Sequence, residues 1–284
     1  MASDGRAMRT LATPYEFDWN RIQFEDSYHI EYSITDICNR NCAACSHLAP
    51  LAKKPNFVTV EEFARVTGIM RKLIPDAHTF WLTGGEPTLH PEFMRLLRIA
   101  RETFTDNYVG IYSNGITLRK YEDDPQFWLF TRENGIVWAV TFYDTDGVYY
   151  RNLFEWHDCP DNLVFVHSGK LFANLTNYTQ KPQHVSQERY TKCGWERSKI
   201  NIRNGRIYNC PSSEFADLFN EYFGHKLQIT PDDYLTVDES LTRERIDGFR
   251  GPIPFCAQCD IDKRCTRMFR NAPSTRSIGE WSEC

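Results

Sequence analysis

Apolar residues along this chain alternate over short stretches and then recur every three or four positions, a change of period that predicts successive strands and helices. Residues 28–35 (YHIEYSIT) alternate in the manner of a half-buried strand, and residues 60–74 place their apolar side chains on one helical face. A second strand is predicted over 78–83, running into Gly84-Gly85, with its helix over 91–103 and Pro91 at the first turn. Further strands are predicted over 108–113, 137–142 and 163–167, with 171–175 as a sixth. From about residue 185 the pattern changes to cysteine-punctuated hairpin and loop, with 199–203 and 206–208 as short strands turned by Asn204-Gly205. The fold class is therefore α/β, a partial (β/α)6 barrel of TIM type with a small Cys-rich C-terminal domain. The expected division is an N-terminal extension over 1–27, a core over 28–184 and the C-terminal domain over 185–284.

Composition narrows the function classes. With 284 residues, 41% of them apolar, the chain is long enough to bury a large core. A net charge of -5 argues against a nucleic-acid partner, which a basic patch would announce. No apolar stretch approaches the ~20 residues of a membrane span, and the first residues lack the apolar centre of a signal peptide. The expectation is a cytoplasmic protein with no membrane partner. Ten cysteines then read as metal or redox ligands, because cytosolic thiols are kept reduced.

Three of those cysteines, Cys38, Cys42 and Cys45, lie in C-N-R-N-C-A-A-C just after the first predicted strand. Their spacing supplies three thiolates where an iron-sulfur cube has four corners, so one iron is left for a substrate or cofactor. Short Cys spacings also fit a zinc knuckle. A second string, Leu82-Thr-Gly-Gly-Glu-Pro-Thr-Leu-His-Pro-Glu-Phe93, follows the second strand. Together the two strings resemble the signature of the radical S-adenosylmethionine (SAM) superfamily. The resemblance implies a SAM-binding 4Fe-4S cluster on Cys38, Cys42 and Cys45, and S-adenosylmethionine bound at Gly84, Gly85 and Glu86. It also implies that Ser113, Asn114 and, more loosely, Thr141 help to bind the cofactor, and that Tyr143 and Asp144 lie where relatives contact ribose or substrate. In this sequence Ala44 stands before the third cysteine where the family usually has an aromatic residue, so another apolar side chain or His47 would lie against adenine.

A second cysteine set spans Cys193, Gly205 and Cys210, followed by Cys256, Cys259 and Cys265 with gaps of two and five residues. It resembles the first part of the auxiliary-cluster extension known as SPASM, and its shortened form, twitch. Position 269, where the full extension continues with Cys, is Phe. The resemblance implies one auxiliary 4Fe-4S cluster, held by Cys193, Cys210, Cys256 and Cys259 in the favoured set. The other set is Cys256, Cys259, Cys265 and Cys284, and a zinc ribbon shares the pattern.

The family resemblance implies reductive cleavage of SAM to a 5′-deoxyadenosyl radical and abstraction of hydrogen from an unactivated C–H bond. The expected partners are a small-molecule substrate and a reducing electron donor such as flavodoxin or ferredoxin. Two outcomes compete, oxidation of an alcohol by a dehydrogenase and inversion of a carbon by an epimerase with Cys265 as thiol donor. No extra N-terminal leader-binding module is evident, so a sugar-like or aminocyclitol substrate ranks ahead of a peptide. Tyr143, Asp144 and His167, near predicted strand ends, are candidates to bind hydroxyls or accept a proton. A non-catalytic iron-sulfur or zinc protein is the reading from another class.

Overall fold

The computed structural model describes residues 28–121, 124–142, 163–167, 171–173, 178–179, 184–185, 187–193, 199–261, 266–268 and 273–282. Its first element is strand β1 (His29–Thr35), followed by helix α1 (Val60–Leu73), β2 (Thr79–Gly84), α2 (Phe93–Thr103), β3 (Tyr108–Ser113), α3 (Pro125–Glu133), β4 (Ile136–Phe142) and β5 (Leu163–His167). Helix α1 begins where the Thr59 side chain accepts the Glu62 amide hydrogen bond, with Glu61 and Glu62 in its first turn and Arg71 and Lys72 in its last. Phe63, Val66, Thr67 and Met70 recur at helical spacing and form its buried face. In α3 the Asp124 side chain caps the Phe127 amide and Pro125 occupies the first turn.

The main sheet has eight strands in the order β5-β4-β3-β2-β1-β7-β8-β9, where β7 is Lys199–Arg203, β8 Arg206–Tyr208 and β9 Tyr234–Thr236. Strands β1 to β5 and β7 run parallel, and β8 and β9 are antiparallel additions. The predicted hairpin is present, with Asn204 and Gly205 both at positive φ, as a tight two-residue turn requires. Its first strand pairs with β1 and so continues the sheet of the core. Residues 171–175 depart from expectation. Strand β6 (Leu171–Ala173) is not the sixth barrel strand but pairs antiparallel with β10 (Thr266–Met268) in a separate two-stranded sheet. The sixth parallel strand is β7.

Alternation along the strands gives the sheet two faces. Ile30, Tyr32 and Ile34 of β1, Phe80 and Leu82 of β2, and Trp138 and Val140 of β4 pack with the faces of α1 to α3 in the largest core. The opposite face is mixed. Trp81, Val137 and Ala139 form a small apolar cluster with Tyr108 and Tyr112, whereas Glu31, Ser33, Asn201 and Arg203 face the same side from β1 and β7. Gly110 is needed here, because a Cβ at that position would lie 2.1 Å from the Trp81 ring that crosses it. After β8 the chain returns over this polar side as helices α5 (Pro211–Glu214) and α6 (Ala216–Phe223). A second core joins α6 to Leu48, Leu51, Tyr178, Phe255 and Trp281. Helix α4 (Gln187–Cys193) precedes β7, and α7 (Arg243–Gly248) follows β9. No helix among the described residues is long and apolar enough to cross a membrane.

Candidate active site and metal centre

Because the parallel strands all end on one side, their C-terminal ends bring together loops that are distant in sequence. The loop after β1 carries Cys38, Cys42 and Cys45. The loop after β2 is stitched to its base, Gly85 N donating to Thr35 O at 2.7 Å and Glu86 N to Ile37 O at 2.7 Å. Both glycines permit this approach of chain to chain. A Cβ on Gly84 would lie 2.2 Å from Thr35 O, and one on Gly85 would lie 2.2 Å from Ile37 O.

Glu86 is fully buried and its carboxylate braces the next loop. Oε1 accepts from Thr88 Oγ1 at 2.6 Å and Ser113 Oγ at 2.9 Å, and Oε2 accepts from Asn114 N at 2.8 Å. Burial pushes its pKa up, opposed by these hydrogen bonds. The side chain is thus committed to protein groups, which leaves backbone groups of Gly84 and Gly85 as the part of the string that could meet a ligand. Asn114, fixed by Glu86, donates Nδ2 to Cys38 Sγ at 3.5 Å and to Asn39 Oδ1 at 2.8 Å. Cysteine loop, glycine string and the Ser113-Asn114 turn therefore meet in one assembly.

Burial pushes the Cys38 thiol up to about 12 and the Cys45 thiol up to about 11, and the neighbouring thiols of the triad add to the rise. Metal binding here must displace protons, and thiolates so formed are soft ligands suited to iron-sulfur chemistry. Among the described residues no group of three or more His, Cys, Asp or Glu could hold a single metal ion.

At the base of the loop, Arg203 Nε and Nη2 each donate to Asp36 at 2.8 Å, and Nη1 and Nη2 donate to Asp217 at 2.8 and 3.0 Å. Desolvation of this guanidinium is outweighed by the two carboxylates, so its pKa rises and the charge persists. His47 turns toward Phe215, ring centroids 5.1 Å apart, and hydrogen-bonds the Gly84 backbone. Burial lowers its pKa, which keeps the imidazole neutral at pH 7. Lys199 Nζ lies 3.4 Å from Glu31 Oε1, and Ser33 Oγ donates to Glu214 Oε1 at 2.7 Å. The inner face thus sets polar side chains of β1, β7 and α5 beside the rings of Trp81 and Tyr112, which stack at 4.5 Å.

Of the second cysteine set, Cys210 precedes α5, Cys256 lies in the 3-10 turn Pro254–Gln258, and Cys259 follows it. Burial pushes Cys210 up to about 12, with Cys256 and Cys259 contributing, so these three are neighbours. Tyr178 is fully buried beside them, bridging to Cys259 and donating its hydroxyl to Ser212 O at 2.9 Å. Cys193 ends α4, one turn after Tyr190, which docks the helix by donating to Arg250 O at 2.7 Å. Thr141 is half-buried on β4. His167 ends β5 opposite Phe142. Tyr143, Asp144, Cys265 and Cys284 lie outside the described residues.

The sequence reading missed Arg203, Glu214, Glu280 and Trp281. Glu280 Oε2 accepts from Ala44 N at 3.2 Å, and Trp281 Nε1 donates to Cys45 O at 3.0 Å. A Glu-Trp pair close to Cys284 was the one available signal.

The Radical SAM superfamily pattern matches residues 32–135 of the chain. Among solved structures, BtrN in complex with AdoMet and 2-DOIA is similar at 15% identity over 70% of this chain and 81% of that one, with a TM-score of 0.50. The anSMEcpe enzyme with bound AdoMet and Cp18Cys peptide is similar at 15% identity over 49% of this chain and 42% of that one, with a TM-score of 0.36. Streptococcus suis SuiB bound to the precursor peptide SuiA is similar at 11% identity over 78% and 73%, with a TM-score of 0.38. The likeness to BtrN is one of fold, and it places the chain in the α/β partial-barrel architecture.

Proposed function

We propose that this chain, whose residues 32–135 match the Radical SAM superfamily pattern, cleaves S-adenosylmethionine reductively and oxidises an alcohol of a small sugar-like or aminocyclitol substrate. The observation that carries the reading is the convergence at the end of β1, where the three-cysteine loop is held by the glycine string and by Asn114 at Cys38. A reduced 4Fe-4S cluster with SAM supplies a 5′-deoxyadenosyl radical able to take hydrogen from an unactivated C–H bond. Cys38, Cys42 and Cys45 would hold that cluster, and backbone groups at Gly84 and Gly85 would accept from the SAM ammonium. Ser113, Asn114 and Thr141 would line the cofactor, with Glu86 fixing the first two from behind.

The inner face supports the substrate class proposed. The Glu31–Lys199 ion pair beside the ring of Tyr112 suits a compact ring bearing hydroxyl or amino groups. On the same fold, BtrN holds AdoMet together with 2-DOIA. Tyr143, Asp144 and His167 follow or end β4 and β5, where they would bind hydroxyls or accept the proton released on oxidation. Cys193, Cys210, Cys256 and Cys259 would hold an auxiliary cluster, whose chemistry is one-electron exchange. The clustering of three of them around Tyr178 favours oxidation over epimerisation with Cys265 as hydrogen donor. A flavodoxin- or ferredoxin-type protein would supply the electron, in a cytoplasmic setting.

The test is iron content and EPR of anaerobically reconstituted wild type and of C38A/C42A/C45A. A cubic signal perturbed by SAM in the wild type alone supports the SAM-binding role. A residual cubic cluster in the triple variant supports the auxiliary site, and its absence removes the electron acceptor that oxidation needs.

A further inference from the structure

Residues 273–282 lie far from the cysteine loop in sequence but are laid along it in space. Ser274 N donates to Asn41 O at 2.7 Å, Asn41 Nδ2 donates to Ser274 O at 2.9 Å, and Cys42 forms an antiparallel bridge with Pro273. Glu280 then takes the Ala44 amide and Trp281 the Cys45 carbonyl. Four stations of the loop, at positions 41, 42, 44 and 45, are thereby held by one segment.

Glu280 is itself fixed before it reaches the loop. Its Oε1 accepts from Thr275 N at 2.8 Å and Thr275 Oγ1 at 2.7 Å, and its Oε2 accepts from Ser274 Oγ at 2.7 Å. The same Oε2 accepts from Ala44 N, and Ala44 has φ 53, a left-handed conformation that its Cβ disfavours. A charged acceptor on that amide helps to hold the unfavoured backbone, and with it the aim of Cys42 and Cys45 on either side. Trp281 is fully buried among Leu48, Leu51 and Phe255, so its indole N–H reaches Cys45 from a rigid base. Its carbonyl accepts from Tyr178 N at 3.2 Å, and Ser282 Oγ donates to Tyr178 O at 2.9 Å. Tyr178 in turn bridges to Cys259. The segment is therefore anchored in the layer that carries the second cysteine set.

We propose that residues 273–282 form a latch on the three-cysteine loop, with Glu280 and Trp281 as positioning residues that set its geometry for cluster retention, an inference that rests on the cluster-binding role given above to Cys38, Cys42 and Cys45. Neither residue is a cluster ligand. Each acts through the backbone between the ligands, as outer partners of metal ligands do elsewhere.

The test uses the full chain, reconstituted anaerobically, and follows release of iron to a colorimetric chelator together with the SAM-induced change in the EPR spectrum. C38A/C42A/C45A defines the iron that the triad does not hold. E280A is expected to release triad iron roughly 10-fold faster than wild type, as loss of an outer partner typically does. E280Q, which keeps an acceptor oxygen for Ala44, should recover most of that loss, and a merely structural role would not give this order. W281F, which keeps a buried ring but loses the N–H, should also release iron faster. Should E280A fail to fold, W281F decides. Wild-type release rates in whichever of E280A and W281F fold overturn the latch alone. Wild-type iron equal to that of the triple cysteine variant overturns the cluster-binding reading, and the latch falls with it.

Discussion

Asn114 donates its side-chain amide to the sulfur of Cys38 at 3.5 Å while its backbone amide is held by Glu86. One residue thus joins the end of β3 to the first cysteine of the triad. A hydrogen bond to a cluster thiolate stabilises the negative charge on sulfur and so raises the reduction potential. N114A is expected to lower the potential of the cluster proposed at the triad and weaken iron retention by about 10-fold or more. Potentiometric EPR titration measures the first effect, and an unchanged midpoint would remove Asn114 from the cluster's surroundings.

Arg203 fixes the base of the same loop through Asp36, two residues before Cys38. Both side chains are 3% exposed, so loss of Arg203 leaves the buried Asp36 carboxylate without its counter-charge. R203A should cost about 3–5 kcal/mol of stability. R203K, which keeps charge but not the paired donor geometry, should fall between the two. Denaturant unfolding of the apo chain checks the order.

Replacing Gly85 by alanine should destabilise the chain and deplete the cluster together, because the added carbon meets Ile37 O at 2.2 Å and must push the cysteine loop away from β2. Strain of this kind costs about 3 kcal/mol if the backbone yields. Equal iron content and equal Tm in G85A would show that the two loops are not packed as described.

The pH dependence of stability should carry the signature of Glu214. Burial raises its carboxyl from an ordinary 4.5 to about 8, against the opposing hydrogen bond from Ser33. Between those values the folded chain keeps a proton that the unfolded chain releases, so stability is greatest below about pH 4.5 for this group and falls as pH rises toward 8. At ~1.4 kcal/mol for each pH unit crossed, the loss amounts to a few kcal/mol. E214Q, which keeps the acceptor for Ser33 without a titrating proton, should flatten the slope between about pH 5 and 8 and be the more stable protein at the upper end. An unchanged slope in E214Q would assign the dependence to other groups.

Local pattern was enough to read most of the parallel strands. Tyr108–Ser113 and Leu163–His167 were legible to the residue, and the other parallel strands nearly so, because each alternates and ends at a turn signal, whereas β9 (Tyr234–Thr236) was not foreseen. What local pattern does not carry is the identity of a partner strand. Leu171–Ala173 has strand-forming residues whichever strand it pairs with, and its partner lies at 266–268. The hairpin at Asn204-Gly205 was evident from its turn, whereas its pairing with β1 depends on a contact between residues as distant in sequence as Lys199 and His29. The same distinction holds at the site. Cys38, Cys42, Cys45 and the glycine string stand in short strings whose spacing speaks for itself. Arg203, Glu280 and Trp281 acquire their roles only when distant segments meet, and an isolated Arg or Trp has no spacing to betray it.

The most direct test of the central claim is formation of 5′-deoxyadenosine from S-adenosylmethionine by the anaerobically reconstituted, dithionite-reduced chain. Wild type should form it, and C38A/C42A/C45A should form none, even where iron remains in that variant. Wild type that carries a full triad-dependent cluster and forms no 5′-deoxyadenosine would contradict the account.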